Sequence, residues 1–283
     1  MENDLAVAIV GDFKYLRRHL NNFINKIRQV GNYSGEIIIL TSYLVPTIFF
    51  ESVRKDKKIK ILRFKKARFN KNTNKLLNKI HIEGAPNRNK TKKFQWHKIN
   101  LFDERLKKWK YIFYLDINMN IHYDINPILE LRPKNELLAR SDSYPEYERK
   151  LESQFYKDGY IYQKLEKKFD LNKTNYFQTG LMYFDTNIIK LNTKKDLVSL
   201  IEEYPISYTN EQGIMNLYFD SINKQYRELP AQIEGFITYF YWIVKNKKII
   251  ITKQIREKYK WCFICFISEY YLNMEYILHF SGE

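Results

Sequence analysis

Residues 111–118 read Tyr-Ile-Phe-Tyr-Leu-Asp-Ile-Asn. Five apolar or aromatic residues run without a break and stop at Asp116, and a second oxygen-bearing side chain, Asn118, follows two positions later. A continuous apolar run of this length is the pattern of a strand buried on both faces, as in a parallel sheet covered by helices. In open α/β sheets ligands bind beyond the carboxyl ends of the strands. An aspartate placed there costs solvation energy unless something positive lies against it. Two oxygen ligands at i and i+2 can turn toward one cation where the chain bends, and Mg²⁺ and Mn²⁺ favour carboxylate, carbonyl and phosphate oxygen. The same pair also suits a plain turn, because Asp and Asn commonly follow strands.

The flanking sequence supplies the rest of such a sheet. Residues 5–11, Leu-Ala-Val-Ala-Ile-Val-Gly, read as a buried strand. Leu16, Leu20, Phe23, Ile24, Ile27 and Val30 then recur at helical spacing until Gly31. Residues 36–41 and 59–64 read as the second and third strands, with a short helix opened by Pro46 between them. Residues 65–93 are basic and Asn-rich, contain Gly84 and Pro86, and read as a loop or lid. Residues 94–109 read as one helix with Ile99, Phe102 and Leu106 on a face, leading into the strand at 111–115. Alternation of this kind builds a parallel sheet through right-handed crossovers. The fold class is therefore α/β, a mainly parallel central sheet flanked by helices. Beyond it, 137–139 and 176–185 read as strands, and 153–168, 187–204 and 209–220 as helices. No repeat and no Ser/Gly linker interrupts the chain, which reads as a single domain over 1–283.

With 283 residues, 45% of them hydrophobic, the chain can bury a sizeable core without disulfides or a structural metal. Cys262 and Cys265, in Trp-Cys-Phe-Ile-Cys-Phe, have no second Cys/His pair to complete a zinc site and read as buried cysteines among aromatics. The formal charge is +16, from 48 basic and 32 acidic residues. That excess suits either an anionic partner or a solvated Lys-rich face. Wealth in Lys, Asn, Ile and Tyr suggests an AT-rich genome, which inflates lysine by itself. None of the common nucleic-acid-binding signatures is present, so a nucleic acid is not the expected partner. The longest apolar stretch, residues 37–50, is interrupted by polar residues and Pro46 and falls short of the ~20 residues that cross a bilayer. The acidic opening Met-Glu-Asn-Asp is not a signal peptide. The expected setting is soluble and cytoplasmic.

Six ordered pieces of the chain resemble the family 8 glycosyltransferases, the glycogenin-like retaining enzymes of GT-A fold. Residues 6–15 look like their first strand and base-binding loop. Trp96-His97-Lys98-Ile99, Leu106 and residues 111–118 look like their helix and metal strand. Ala139-Arg140-Ser141-Asp142 resembles a segment ending in an acid. Phe177-Gln178-Thr179-Gly180-Leu181-Met182-Tyr183-Phe184-Asp185 is similar to their Phe-Asn-Ser-Gly strand. Asn210-Glu211-Gln212-Gly213-Ile214-Met215-Asn216 resembles their Asp-Gln-x-x-x-Asn helix start, and His279-Phe280-Ser281-Gly282 their terminal His-Phe-x-Gly.

The resemblance implies a retaining transferase that moves a hexose, glucose as the first candidate, from a UDP-sugar to a hydroxyl on a protein or glycan. It implies a Mn²⁺ or Mg²⁺ ion held by Asp116, Asn118 and His279. Val10, Gly11, Tyr15, Lys98, Gly180 and Gly282 would hold the donor, and Asp142, Glu211 and Gln212 would set the sugar and acceptor. Residues 1–120 would form the nucleotide-binding half and 121–283 the acceptor side; a homodimer is left open. Three departures stand out. Asn118 replaces a usual carboxylate, which predicts weaker metal binding until a donor diphosphate is present. Glu211 replaces a shorter Asp, and no Lys-Pro-Trp follows Phe280. These departures keep a second reading alive, a nucleotide-sugar binder with weak or no turnover; a basic nucleic-acid binder is a third.

Overall fold

A computed structural model of the chain describes residues 4–81, 86–141, 150–241, 244–245, 248–252, 262–266 and 279–281; beyond 239 it describes backbone only, Ile264 excepted. The amino-terminal part alternates as the sequence predicts: β1 (Leu5–Val10), α1 (Phe13–Gln29), β2 (Glu36–Ser42), β3 (Ile59–Phe64), α2 (Lys71–Lys79), α3 (Arg88–Thr91) and β4 (Tyr111–Leu115). It continues through β5 (Asn120–Ile121), α4 (Asn126–Leu129), β6 (Leu137–Ser141), α5 (Tyr160–Lys168), β7 (Phe177–Asp185), α6 (Thr193–Glu203), α7 (Glu211–Asn216) and β8 (Tyr226–Glu228). The last strands are β9 (Gln232–Ile233), β10 (Phe236–Tyr241), β11 (Val244–Lys245), β12 (Lys248–Thr252), β13 (Cys262–Phe266) and β14 (His279–Ser281).

The central sheet has seven strands in the order β3-β2-β1-β4-β7-β6-β8, with β4 in the middle. β1, β2, β3 and β4 are parallel, β7 is antiparallel to both its neighbours, and β8 is parallel to β6. Strict alternation divides the strands between two cores. Ala6, Ala8, Ile38, Leu40, Ile112 and Tyr114 face one, and Val7, Ile9, Ile37, Ile39, Phe113 and Leu115 face the other. Both faces are covered, which is why these strands read as unbroken apolar runs. α1 seals the second core with Leu16, Leu20, Phe23 and Ile27, is capped by the Asp12 side chain accepting from Tyr15 N at 2.9 Å, and stops where Gly31 N donates back to Lys26 O.

Because β7 runs against β4, its first residues lie beside the last residues of β4, with Leu115 opposite Leu181. This single reversal brings Gln178, Thr179 and Gly180 to the carboxyl end of the sheet, next to Asp116. Two smaller sheets, β5-β13-β10-β9 and β11-β12-β14, follow the central one.

Four sequence expectations need correction. The segment at 65–93 is not a bare loop: Asn70 caps α2 by accepting from Thr73 N, Asn87 caps α3 by accepting from Lys90 N, and Thr73 and Leu77 are buried. The asparagines that suggested a loop are helix caps. The helix expected over 94–109 is instead two 3₁₀ segments, Lys93–Phe102 and Glu104–Lys108, broken at Asp103. Every residue from Trp96 to Phe102 is buried, so the segment is enclosed on all sides and has no solvent face of the kind a surface helix keeps. The helix expected over 153–168 begins only at Tyr160, after Gly159 at φ 96°. The helix expected over 209–220 is α7 followed by a π-helical stretch, Leu217–Ile222. Cys262 and Cys265 lie on β13, and their side chains fall outside the described residues. No described helix is long and apolar enough to cross a membrane.

Candidate functional site

Asp116 directly follows β4. Its N–H donates to Gly180 O at 2.8 Å, and its carbonyl accepts from Met119 N at 2.9 Å, so Ile117 and Asn118 form the tip of a tight turn at the carboxyl end of the sheet. Asp116 and Asn118 border a cavity of about 1920 Å³. That exceeds the ~300–1,000 Å³ of a typical small-ligand pocket and leaves room for two ligands.

Lys98 lies at the centre of the floor. Its Nζ sits 2.9 Å from Asp116 Oδ1, 3.1 Å from Glu211 Oε1 and 3.2 Å from Thr179 O. An ammonium has three N–H donors, and these three contacts use them all. The Tyr114 ring lies 5.6 Å away. Burial alone would pull the Lys98 ammonium down, but Asp116 and Glu211 outweigh it and hold it above the ordinary lysine value. The enclosed 3₁₀ segment is what makes this possible: it carries Lys98 into the interior, where only paired charge is tolerated.

Glu211 opens α7 and is 1% exposed. Burial pushes its carboxyl above the ordinary range, against the pull of Lys98. Its Oε1 accepts from Thr179 Oγ1 at 3.1 Å, while Oε2 is buried without a hydrogen-bond partner among the described residues. Tyr114, two residues before Asp116 and on the same face of β4, donates its hydroxyl to Asp116 Oδ1, and burial followed by the Asp116 charge raises that phenol well above its usual value. Lys98 and Tyr114 thus share one oxygen of Asp116. Among the described residues no hydrogen bond reaches Oδ2, which lies 3.6 Å from where a Cβ on Gly180 would stand. A side chain at Gly180 would also meet Met119 at 2.7 Å, so this glycine keeps the space beside Asp116 open.

Gln212 is fixed at both ends of its amide. Its Oε1 accepts from Thr179 N at 3.1 Å, and its Nε2 donates to Gln154 Oε1 at 2.9 Å, an oxygen that also accepts from Thr209 Oγ1 at 2.7 Å. Asn216, one turn on, donates to Phe177 O at 2.9 Å and accepts from Phe177 N at 2.8 Å, tying α7 to β7 as a strand would. Asn210, just before α7, has φ 54° and ψ −118°, the region a glycine takes in a type II′ turn. Its Nδ2 donates to Arg88 O, Lys92 O and Gln95 Oε1 at 3.1–3.3 Å, binding the α3 segment to the floor of the cavity.

Of the residues singled out in the sequence, Lys98, Asp116 and Glu211 meet in one ion cluster, with Gln212 held against the same Thr179. Val10, Tyr15, Asn118 and Gly180 line the same cavity. Burial, then Asp116, raises the Tyr15 phenol. Gly11 has a packing role: a Cβ there would stand 2.8 Å from Leu16, and its backbone bonds to Leu40 O and Thr41 Oγ1. Asp142 and Gly282 lie outside the described residues; of His279 only the backbone is described, paired with Ile250 on β12. Among the described residues no three His, Cys, Asp or Glu side chains gather as a metal site. Asp116 Oδ2 and the Asn118 amide are oxygen donors of the kind Mg²⁺ and Mn²⁺ accept, so the residues in view fit such a cation in chemistry. Thr179, Gln154 and Tyr114 were not singled out in the sequence; only Tyr114, at i−2 from Asp116 in a strand, carried a usable signal.

No protein-family model and no curated protein sequence matches the chain. Solved structures do. The apo structure of the bifunctional glycosyltransferase WbbM superposes with a TM-score of 0.54 at 17% identity, over 85% of this chain and 40% of that one. The galactosyltransferase LgtC, in complex with donor and acceptor sugar analogues, gives 0.51 at 12%, over 83% and 75%. Mouse xyloside xylosyltransferase 1 gives 0.51 at 9%, over 98% and 100%. The chain spans less than half the length of WbbM. The shared architecture is the GT-A glycosyltransferase fold, a mostly parallel seven-stranded sheet flanked by helices.

Proposed function

We propose that the chain is a retaining glycosyltransferase akin to family 8, transferring a hexose from a UDP-sugar to a hydroxyl on a protein or glycan, with glucose as the first donor to test. One observation carries the reading: a buried lysine, Lys98, bridges Asp116 and Glu211 at the carboxyl end of the central strand, beside the immobilised amide of Gln212. The fold and the size of the cavity support it. In this reading residues 1–120 form the nucleotide-binding half, where Val10 and Tyr15 border the base and Lys98 faces the donor. Residues 121–283 form the acceptor side. Asp116 through Oδ2, Asn118 and His279 would hold Mn²⁺ or Mg²⁺, which when bound neutralises charge on the leaving diphosphate.

Glu211 and Gln212 would stand by the donor sugar. The bond from the anomeric carbon to the diphosphate oxygen breaks, both electrons leaving with the diphosphate. The acceptor oxygen bonds that carbon and passes its proton to the departing diphosphate oxygen. Retention requires a stabilising group on the face opposite the leaving group, and the Gln212 amide, locked between Thr179 and Gln154, is the rigid candidate. Asp142 would contribute to the acceptor site.

The test is UDP release from UDP-glucose in Mn²⁺. Asp116→Ala is expected to lower it at least a hundredfold; an unchanged rate would remove the assignment. A second reading, a donor-binding protein without turnover, is favoured by the amide at Asn118. UDP binding by calorimetry with no sugar release from any UDP-hexose would select it.

A further inference from the structure

Ten lysine and arginine side chains line the cavity against three carboxylates, Asp12, Asp116 and Glu211. The chain as a whole has 48 basic to 32 acidic residues, so the excess is concentrated here and is not a uniform lysine bias. Only Lys98 is neutralised, by Asp116 and Glu211; among the described residues the other nine make no ion pair with a carboxylate. Seven of the nine stand in two groups, Lys65, Lys66 and Arg68 directly after β3 and Arg88, Lys90, Lys92 and Lys93 in and after α3; the other two, Lys14 and Arg18, lie on α1. Burial, and then Arg88, hold Lys92 below the ordinary lysine value.

The donor does not use up this charge. The diphosphate of a nucleotide sugar carries about two negative charges, one per phosphate. Nine unpaired cations around a concave site focus a positive field far beyond that need. The wall is also stiffly held where it could have been a loose loop: Asn87 and Asn70 cap its helices, and Asn210 fastens Arg88 O and Lys92 O to the catalytic floor. A fixed array of cations beside a sugar-transfer centre selects a charged second ligand.

We infer that the acceptor is a polyanionic glycan, one bearing phosphate or carboxylate groups that lie along Lys65, Lys66, Arg68, Arg88 and Lys92 while its hydroxyl reaches the donor. This rests on the glycosyltransferase reading given above. These cations line the same cavity as the proposed sugar-transfer centre, which favours a glycan over a nucleic acid.

The experiment uses one fluorescein-labelled oligosaccharide carrying three phosphomonoesters, before and after phosphatase treatment, with binding read by anisotropy. The phosphorylated form is expected to bind at least tenfold more tightly at 50 mM salt. Contact with three phosphates should weaken that binding roughly twentyfold between 50 and 200 mM salt, from a slope near −0.7 per phosphate. The variant Lys65→Ala/Lys66→Ala/Arg68→Ala, all exposed positions, is expected to lose most of the preference while melting like the parent. Equal binding of the two oligosaccharides by the parent protein overturns the inference whatever the variant does. So does displacement of the phosphorylated glycan by an equally charged single-stranded oligodeoxynucleotide at equal or lower concentration, which would assign the wall to nucleic acid. UDP-glucose hydrolysis, measured without acceptor, reports on the catalytic reading alone, so the two failures are separable.

Discussion

Replacing Lys98 by Met keeps the length and packing of the stem but removes the charge that two carboxylates share. The two would respond differently. The Asp116 side chain is 26% exposed and borders the cavity, so water can replace part of what it loses. The Glu211 side chain is 2% exposed and has no such recourse. Breaking a buried pair by removing one partner costs ~3–5 kcal/mol; the lower end applies, because Glu211 can take up a proton. A loss of about 3 kcal/mol corresponds to a Tm lower by roughly 6–12 °C for a chain of this size. The loss should depend on pH. Glu211 already has a folded-state pKa above its unfolded value of 4.5, and removing Lys98, which lowers it, raises it further. A group raised in this way stabilises the fold fully below its unfolded value, and that contribution disappears as pH climbs through the folded value. The deficit of Lys98→Met is therefore largest at pH 7 and shrinks toward pH 5, and Lys98→Met/Glu211→Gln should recover at least half of it at pH 7. Thermal and urea unfolding at both pH values measure this. A deficit under about 1 kcal/mol at pH 7, or one identical at pH 5, would refute the idea that Lys98 exists to compensate Glu211.

Three further outcomes follow from the site. Asn210→Ala should destabilise by ~1–3 kcal/mol through its positive φ, and Asn210→Gly should relieve that strain while still losing the three side-chain bonds, so glycine falls between alanine and the parent in melting experiments. Burial, then Lys66 and Lys194, holds the His97 imidazole down at about 4, below its ordinary 6.5, so it stays neutral to below pH 5 by NMR titration; stability present above pH 6.5 is lost as pH falls toward 4, and His97→Gln should gain up to ~3 kcal/mol on the parent over that range. Mn²⁺ should bind at least tenfold more tightly when UDP is present, and UDP by the same factor when Mn²⁺ is present, in calorimetric titrations.

The parts of the fold that were legible in the sequence are those enclosed on both sides. β4 has the predicted bounds because all five of its residues are apolar or aromatic and buried between polar stops; β3, an edge strand that is half-buried and carries Lys60 and Arg63, also keeps its predicted bounds, from its alternating apolar residues alone. The segment around Lys98 was placed correctly in order but read as the wrong element. Its apolar residues do recur three and four apart, yet the residues between them, His97, Lys98 and Asn100, are equally buried, and periodicity cannot distinguish that enclosure from an amphipathic helix. At the site, the resemblance put Lys98, Asp116, Glu211 and Gln212 on one list, but it did not say that the lysine would be locked between the two acids. That fact depends on β7 running antiparallel to β4 and on Thr179 standing between them. Thr179 stands out in the sequence only as part of a strand, and Gln154 not at all, because their bonds to the site reach partners more than thirty residues away. Two of the three anionic or ligating side chains proposed beyond the cluster, Asp142 and His279, lie outside the described residues, so their place in the site rests on the resemblance alone.

The division of labour on Asp116 joins these observations. Lys98 and Tyr114 both act on Oδ1, which fixes the carboxylate plane and turns Oδ2 toward the space that Gly180 keeps open. An ammonium and a divalent cation thus need not compete for one oxygen. The cost is charge: Lys98 cancels one of the two carboxylates, and Asn118 supplies an amide where a third carboxylate would have stood. A cation arriving at this centre meets little net attraction, and the nine unpaired basic side chains around the cavity repel it further. On the proposed reading, a donor diphosphate would meet the opposite field and be drawn in first. Its oxygens would then restore the negative charge that Asn118 leaves out and make the cation site attractive. The amide at Asn118 would thus make a metal conditional on the donor, and the positive wall would allow that order of assembly.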